Sequence, residues 1–293
     1  MKSILAFIGF VVVALFLFTR MVEPPHQLSI LNSLWPGDSD ASEVAEGVVF
    51  DPATGLKLDV WAPTGAMDAK KPVLIFFYGG GWSHGQREHY SFAGKAFAAK
   101  GFVTVIPDYR KVPSVRFPTF NQDGAMAVKW VRDNIAKFGG DPTRVAVAGH
   151  SAGGYIAVIL ALDTHYLKDV GVDPAFIKAG VGLSGPYDFI PFDSKRSINA
   201  MRAWPRPEET QPVTYVRKDA PPLLLLTGTA DDTVKPRNPI ILSQRLHAVG
   251  ADVSFKAYEE LGHEDVVMAL AKPFRGKAPV LDDSVAFLKE KLK

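Results

Sequence analysis

The chain is predicted to form one α/β domain, a mostly parallel sheet with helices on both faces and a small cap insertion. Three observations predict this class. Apolar runs of strand length alternate with helical segments from about residue 48 to the C-terminus. Several of those runs are apolar throughout, as expected of strands that are buried on both faces. Of the 293 residues, 47% are hydrophobic and 22% are charged, which suits a globular domain with a full core.

The first strands are predicted to form an antiparallel hairpin, because a turn-rich spacer at 51–55 separates residues 48–50 from residues 56–61. The continuous apolar run at 73–78 follows as a buried strand. Further strands are predicted at 102–106, 145–148, 179–183, 223–227 and 253–258, and helices at 90–100, 121–138, 152–162, 239–249 and 279–291. The alternation lapses over 186–221, so this segment is predicted to be the cap that covers a site.

The first 20 residues form a hydrophobic segment predicted to lie outside the fold. Its apolar core, residues 4–18, has the upper length of a signal-peptide core and approaches the lower limit for a spanning helix. Because neither a small-x-small cleavage site nor a cysteine follows, we expect an uncleaved membrane anchor; a cleaved signal peptide and a buried helix are the alternatives. Such an anchor by default leaves the C-terminal part outside the cytoplasm. Residues 21–45, rich in Pro, Ser, Gly and Asp, are predicted to be a linker, and residues 46–293 the catalytic domain.

The composition excludes several classes of protein. No cysteine occurs, so disulfides, thiolate catalysis and cysteine-based metal sites are ruled out. The formal net charge is only +2 and the chain has no block of five or more Lys or Arg, so no nucleic-acid partner is predicted. No cluster of His and carboxylate residues has the spacing of metal ligands, which disfavours a metal hydrolase.

The sequence G-H-S-A-G at 149–153 places a candidate nucleophile, Ser151, between a predicted strand and a predicted helix. A sharp strand–turn–helix forces such a serine into a strained conformation, and small flanking residues prevent clashes. The helix N-terminus also offers free N–H groups to developing negative charge. A glycine-rich helix start with an N-capping serine is the alternative reading.

The sequence Y-G-G-G-W at 78–82 follows the buried strand and predicts an oxyanion hole. Consecutive glycines let the backbone approach a ligand with its N–H groups exposed. The predicted donors are Gly80, Gly81 and Ala152. Tyr78 stands where esterases commonly have histidine. A dinucleotide-binding loop fails because position 84 is histidine, while a plain structural turn stays as an alternative.

The base and the acid are predicted from chain order. His263 lies just after the last strand, and Asp231 follows the strand before it. The order Ser, Asp, His is that of serine hydrolases with this alternation, in which the carboxylate holds the imidazole in the right tautomer. Asp232 is the less favoured acid, and a surface turn with two aspartates is the alternative. Three aromatic residues are candidate pocket walls or plain core residues: Trp82, Phe189 and Trp204.

These motifs resemble the bacterial α/β-hydrolases of the carboxylesterase/lipase type, near the hormone-sensitive-lipase-like and feruloyl-esterase-like groups. The resemblance also rests on P-D-Y-R at 107–110, G-P-Y-D at 185–188, G-x-x-D-x-x-V at 228–234 and G-H at 262–263. It implies hydrolysis of a small-molecule carboxylic ester without a cofactor, and supports Asp231 as the acid. Taken with the hydrophobic N-terminal segment, the bacterial character of this group predicts a protein anchored in the inner membrane with a periplasmic catalytic domain, or a secreted form.

Two other functions stay open at this stage. The same triad would serve amide or formamide hydrolysis, as in arylformamidases, to which the chain has some likeness. A membrane-tethered binding domain without activity is disfavoured because no triad member is missing. The natural ester and the oligomeric state do not follow from the residues.

Overall fold

The computed structural model describes residues 22–65 and 70–293. Eight strands of this part form one sheet: β1 (Ala41–Asp51), β2 (Leu56–Pro63), β3 (Lys71–Phe77), β4 (Val103–Pro107), β5 (Gly140–His150), β6 (Ile177–Leu183), β7 (Leu223–Gly228) and β8 (Val253–Tyr258). Their order across the sheet is β1-β2-β4-β3-β5-β6-β7-β8. The β1–β2 and β2–β4 pairs are antiparallel and all others are parallel. The predicted fold class is therefore confirmed, including the leading hairpin.

Helices cover the sheet on both faces. The described part of the chain has nine α-helices: α1 (Pro24–Leu34), α2 (Ser91–Ala99), α3 (Thr119–Asn134), α4 (Ala152–Leu162), α5 (His165–Asp169), α6 (Lys195–Met201), α7 (Arg237–Ala248), α8 (His263–Met268) and α9 (Val280–Lys291). Helix α9 contacts α2, β6 and β7, whereas α4 contacts α3, β5 and β6. Every residue of α4 is buried, because this helix lies in the middle of the molecule.

The central strands form the core. Residues 73–77 of β3 and 145–148 of β5 have no exposed surface, as their uninterrupted apolar runs predicted. Because β3 to β8 are parallel, the carboxyl ends of β5, β7 and β8 meet at one edge of the sheet. Ligands bind at this edge in open α/β sheets, and the three predicted catalytic residues all follow these strands.

Most of the linker predicted over residues 21–45 belongs instead to helix α1 and to the start of strand β1. Helix α1 begins with Pro24 and Pro25, which suit the first helical turn because they lack the N–H that would be unpaired there. Leu28 is buried, and the Asn32 amide oxygen accepts the backbone N–H of Lys272 at 2.8 Å. Strand β1 then starts at residue 41. The folded domain therefore extends N-terminally of residue 46.

The predicted anchor, residues 1–20, lies outside the described residues. Within residues 22–65 and 70–293, none of the helices has both the length and the apolar character needed to cross a bilayer. The segment predicted to be the cap, 186–221, contains α6 and several short 3-10 turns. Its first residues are fastened to the domain by Asn238, whose side-chain oxygen accepts the backbone N–H groups of Tyr187 and Asp188, each at 2.9 Å.

Candidate active site

Ser151 occupies the sharp turn between β5 and α4. Its backbone has φ 54° and ψ −121°, a conformation that residues other than glycine rarely adopt. Neighbouring backbone groups hold the turn: the Ser151 N–H donates to the Leu183 carbonyl at 2.8 Å, and the Tyr155 N–H donates to the Ser151 carbonyl at 2.9 Å. Ser151 therefore stands at the carboxyl edge of the sheet, as the strand–turn–helix pattern predicted.

Two glycines make this turn sterically possible. A Cβ on Gly153 would lie 2.1 Å from the Phe77 carbonyl oxygen, and a Cβ on Gly149 would lie 2.3 Å from the Gly153 carbonyl oxygen. Both neighbours are backbone atoms of the central sheet or of the turn itself, so they cannot move aside without disturbing the fold. The G-x-S-x-G spacing is thus explained by the close approach of β5, α4 and β3.

His263 bridges Ser151 and Asp231. Its Nε2 lies 2.8 Å from Ser151 Oγ, and its Nδ1 lies 2.9 Å from Asp231 Oδ2. His263 is the first residue of α8, shortly after β8, while Asp231 follows β7. Only 5% of His263 and 2% of Asp231 are exposed. The structure therefore brings together the three side chains that the sequence singled out.

The surroundings of Asp231 favour its ionised form. Burial raises its pKa, but the hydrogen bond and charge of His263 and the Val234 N–H lower it, and the resulting pKa lies below the ordinary value. Asp231 Oδ1 accepts the N–H groups of Thr233 at 3.1 Å and Val234 at 2.8 Å, which leaves Oδ2 for the histidine. An ionised carboxylate in this position orients the imidazole and stabilises its cation.

Two further residues, Ser184 and Asp232, lie close to Asp231. Ser184 is fully buried after β6, and its hydroxyl lies near enough to lower the pKa of Asp231, although its geometry falls short of a hydrogen bond. No sequence pattern pointed to Ser184, because it approaches Asp231 only through the pairing of β6 with β7. Asp232, the less favoured acid, is exposed and lines the cavity beside the site.

His150, the residue before Ser151, contacts His263 directly. Its Nε2 lies 3.1 Å from the His263 carbonyl oxygen, and the two rings are 4.8 Å apart. Burial, followed by the charge of His263, lowers the pKa of His150 to about 3. The ring is therefore neutral near pH 7, and Nε2 carries the proton because the carbonyl oxygen can only accept. In the sequence, His150 is only the residue before Ser151 in the G-H-S-A-G turn, and no pattern indicates its contact with His263.

The predicted oxyanion donors lie in two short segments. Gly80 and Gly81 have φ angles of 126° and 59°, and the Gly80 carbonyl accepts the N–H groups of Ser83 at 3.1 Å and His84 at 3.0 Å. Among residues 22–65 and 70–293, no acceptor is found for the N–H of Gly80 or of Gly81. Ala152 begins α4, so its N–H has no acceptor within the helix. Gly81 and Ala152 line the same cavity as Ser151, whereas Gly80 is not among its lining residues.

Tyr78 braces this loop in place of the usual histidine. Its buried hydroxyl donates to Asp108 Oδ1 at 2.8 Å and accepts from Lys111 Nζ at 2.9 Å. Tyr109 stacks on the Tyr78 ring with 4.7 Å between centroids, and its hydroxyl donates to the Tyr78 carbonyl at 3.0 Å. A Cβ on Gly85 would lie 2.9 Å from the Tyr78 ring, so the loop closes tightly around it. The exchange of histidine for tyrosine is thus accompanied by a complete set of polar partners.

A cavity of about 440 Å³ is lined by Ser151 and by the start of the segment predicted to be the cap. Trp82 and Phe189 line it and lie 6.1 Å apart, so two of the three candidate wall residues face this space. Trp204 instead packs on Phe117, and its indole N–H donates to Glu209. Most polar lining residues were missed from the sequence because they belong to the irregular segment or to a helix start; they include Lys195, Arg196, Lys235, Arg237 and Asn238.

Comparison with known proteins identifies relatives of this chain. The family model BD-FAE matches residues 58–246. Esterase LipC of Mycobacterium tuberculosis is 33% identical over 227 residues, which cover 70% of this chain and 56% of LipC. Isoprenylcysteine alpha-carbonyl methylesterase ICME of Arabidopsis thaliana is 28% identical over 270 residues, which cover 85% of this chain and 62% of ICME. The matches thus span 56% and 62% of the length of these two relatives.

Solved structures show the same fold. A truncated carbohydrate esterase from gut microbiota has a TM-score of 0.74 at 21% identity, covering 87% of this chain and 98% of that one. The butyrate-bound esterase 2 of Thermogutta terrifontis has a TM-score of 0.69 at 21% identity, covering 87% and 95%. Both likenesses concern the fold alone, whereas the family model matches more than half of the chain and shows its family. This chain therefore belongs to the BD-FAE family, among the α/β-hydrolases of the carboxylesterase type.

Proposed function

We propose that this chain is a serine hydrolase that cleaves carboxylic esters through an acyl-enzyme. The observation that carries the proposal is the unbroken pair of hydrogen bonds from Ser151 Oγ through His263 to Asp231 in the wall of an open cavity. A hydroxyl next to an imidazole that a carboxylate orients is the arrangement that nucleophilic acyl transfer requires. The relatives named above are an esterase and a methylesterase, which favours esters over the amide alternative.

The first half of the reaction acylates Ser151. Its Oγ attacks the ester carbonyl while His263 Nε2 takes the hydroxyl proton, and the electron pair of the carbonyl moves onto its oxygen. The N–H groups of Gly80, Gly81 and Ala152 stabilise this oxyanion. When the carbonyl re-forms, the bond to the alcohol oxygen breaks and His263 gives that oxygen its proton. The alcohol leaves, and the acyl group stays on Ser151.

The second half returns the enzyme to its starting state. A water molecule attacks the acyl carbonyl while His263 Nε2 takes one of its protons, and the same N–H groups hold the new oxyanion. Collapse of this intermediate breaks the bond to Ser151 Oγ, which regains its proton from His263. Asp231 stays ionised throughout and stabilises the imidazolium that forms in each half. The acid product is released.

Hydrolysis of p-nitrophenyl acetate, butyrate and octanoate, with a p-nitroanilide as the amide counterpart, tests the proposal. Replacing Ser151 with alanine should lower kcat by about 10⁴-fold or more, because no other group can carry the acyl intermediate. Ser254→Ala is the matched control, since this serine is exposed on β8. Undiminished ester hydrolysis by Ser151→Ala would reject the nucleophile. Cleavage of the anilide without cleavage of any ester would replace the ester assignment with the amide one.

We further propose that residues 1–20 anchor the protein in the bacterial inner membrane with the catalytic domain in the periplasm. The support is the uncharged run 3–19 and the absence of a small-x-small cleavage site after it. Alkaline phosphatase fused to the C-terminus should be active, and green fluorescent protein in its place should be dark. The opposite result would place the domain in the cytoplasm. A soluble, shortened periplasmic product would identify a cleaved signal peptide instead.

A further inference from the structure

The cavity beside Ser151 carries an excess of positive charge. Four cationic side chains line it, against two carboxylates: Lys195, Arg196, Lys235 and Arg237, with Asp193 and Asp232. All four cations are exposed, and within residues 22–65 and 70–293 none of them forms an ion pair or a side-chain hydrogen bond. Other arginines differ in this respect: Arg87 pairs with Asp59 and Asp108, and Arg110 pairs with Asp123. The cavity therefore presents cations whose charge is not neutralised by the protein.

Arg196 lies directly against the glycine loop at 79–81, called the oxyanion loop because it carries the proposed donors Gly80 and Gly81. A Cβ on Gly81 would be 2.4 Å from Arg196 Cδ and 3.1 Å from its Nε, so the arginine stem fills the space that a side chain at position 81 would take. Arg196 lies in the first turn of α6, and this turn is capped by Ser194, whose Oγ accepts the Ser197 N–H at 3.0 Å. Since Gly81 is one of the proposed oxyanion donors, the Arg196 guanidinium would lie close to an ester bound at Ser151.

Two of the other three cations, Lys235 and Arg237, come from a distant part of the chain. Lys235 and Arg237 flank the start of α7, a few residues after Asp231, whereas Lys195 and Arg196 belong to α6. Two segments about 40 residues apart in the sequence thus bring like charges to one cavity, as is typical of sites that concentrate and bind anions. A pocket for a plain alkyl ester has no need of these charges.

We propose that the substrate carries an anionic group, a carboxylate or a phosphate, near its ester bond, and that Arg196 binds this group. The planar guanidinium can donate two parallel hydrogen bonds to either anion. The inference rests on the proposed ester hydrolysis and specifies the substrate class of the same site. The anionic group belongs to the acyl part or to the alcohol part, and the test distinguishes the two.

Two pairs of esters that differ mainly in charge provide the test. On the acyl side, mono-p-nitrophenyl succinate is compared with p-nitrophenyl levulinate, in which a methyl ketone replaces the carboxylate. On the alcohol side, 4-acetoxybenzoate is compared with 4-acetoxybenzamide. In at least one pair the anionic ester should have a KM at least about fivefold lower, which corresponds to one well-formed exposed ion pair. About 0.5 M NaCl should reduce this difference, because exposed charges are screened.

Variants assign the effect to Arg196. Arg196→Gln should abolish most of the KM difference within the preferred pair. Arg245→Gln should leave it intact, because Arg245 is an exposed arginine of α7 that does not line the cavity. Equal KM values in both pairs for the unaltered enzyme would overturn the inference and leave ester hydrolysis standing. No hydrolysis of any of the four esters would overturn the inference, and it would overturn the proposed function as well if p-nitrophenyl acetate, butyrate and octanoate also stayed uncleaved. If the Arg196→Gln variant keeps the lower KM for the anionic ester, Arg196 is not the residue that binds the anionic group.

Discussion

Replacing Tyr78 with phenylalanine tests how the oxyanion loop is held. The variant keeps the ring, which packs on Tyr109, and removes only a hydroxyl that bridges Asp108 and Lys111. Burial raises the pKa of Tyr78, so this hydroxyl stays protonated and donates to the carboxylate. The residue has no exposed surface, and water therefore cannot easily take the place of the lost group.

The expected loss follows from the partners that remain. Asp108 keeps its ion pair with Arg87 at 2.7 Å, and Lys111 keeps the Tyr109 carbonyl at 3.2 Å. Only the hydroxyl's own bonds to charged groups are lost, so the free energy of unfolding should fall by about 2 kcal/mol. Deleting one oxyanion donor costs about 10²- to 10³-fold in kcat. Tyr78→Phe keeps both proposed donors of the loop and only shifts them, so kcat should fall less, by about tenfold.

Urea unfolding and steady-state hydrolysis of p-nitrophenyl butyrate measure the two effects. Tyr258→Phe is a matched control, since its hydroxyl donates to Asp283 at 2.6 Å and Lys256 lies 5.3 Å from its ring centre. This second tyrosine–aspartate–lysine group faces α9 rather than the oxyanion loop. It should lose similar stability with unchanged kcat. Equal kcat for Tyr78→Phe and the unaltered protein would refute the role of Tyr78 in supporting the loop.

Three further changes have defined outcomes. Gly153→Ala forces a Cβ against backbone and should cost more than about 3 kcal/mol of unfolding free energy, while Gly276→Ala, with open space around it, should be neutral in the same denaturation assay. Asp231→Asn should lower kcat by about 10³- to 10⁴-fold with little change in KM, measured on p-nitrophenyl butyrate. Glu43 is exposed on β1, but partial desolvation and then the charge of Asp59 raise its pKa to about 7, above the ordinary 4.5; its contribution to stability, reduced by solvent screening, is present below about pH 4.5 and lost as the pH rises through 7. Glu43→Gln should therefore melt at a slightly higher temperature than the unaltered protein at about pH 8 and at the same temperature at about pH 4; equal shifts at both would contradict this.

The features that could be predicted from the sequence are those that depend on local chemistry. Strands buried on both faces need uninterrupted apolar runs, and β3 and β7 show this over nearly their whole length. The sharp turn between β5 and α4 needs small residues beside Ser151 because β3 and α4 pass so close to it. Chain order then placed Asp231 and His263 after neighbouring parallel strands, where the structure finds them.

The features that could not be predicted depend on contacts between distant segments. Helix α1 was not predicted, because it lies in a Pro- and Ser-rich stretch and its contacts with the rest of the domain are partly polar. Asn32 accepts the Lys272 N–H, and Ser29 donates to the His89 carbonyl. The approach of Arg196 to Gly81 arises from a segment without periodicity. Such contacts leave no trace in the spacing of apolar residues, so only the folded structure reveals them.

Mass spectrometry of the protein after reaction with a fluorophosphonate tests the central claim most directly, because this reagent bonds to an activated serine without needing the natural substrate. Ser151 should gain one phosphonyl group, and His263→Ala should slow the labelling by several orders of magnitude, since the neighbouring imidazole 2.8 Å away removes the hydroxyl proton. Ser151→Ala should not be labelled. Labelling of a different residue, or labelling of Ser151 at an undiminished rate in His263→Ala, would contradict the Ser151–His263–Asp231 mechanism.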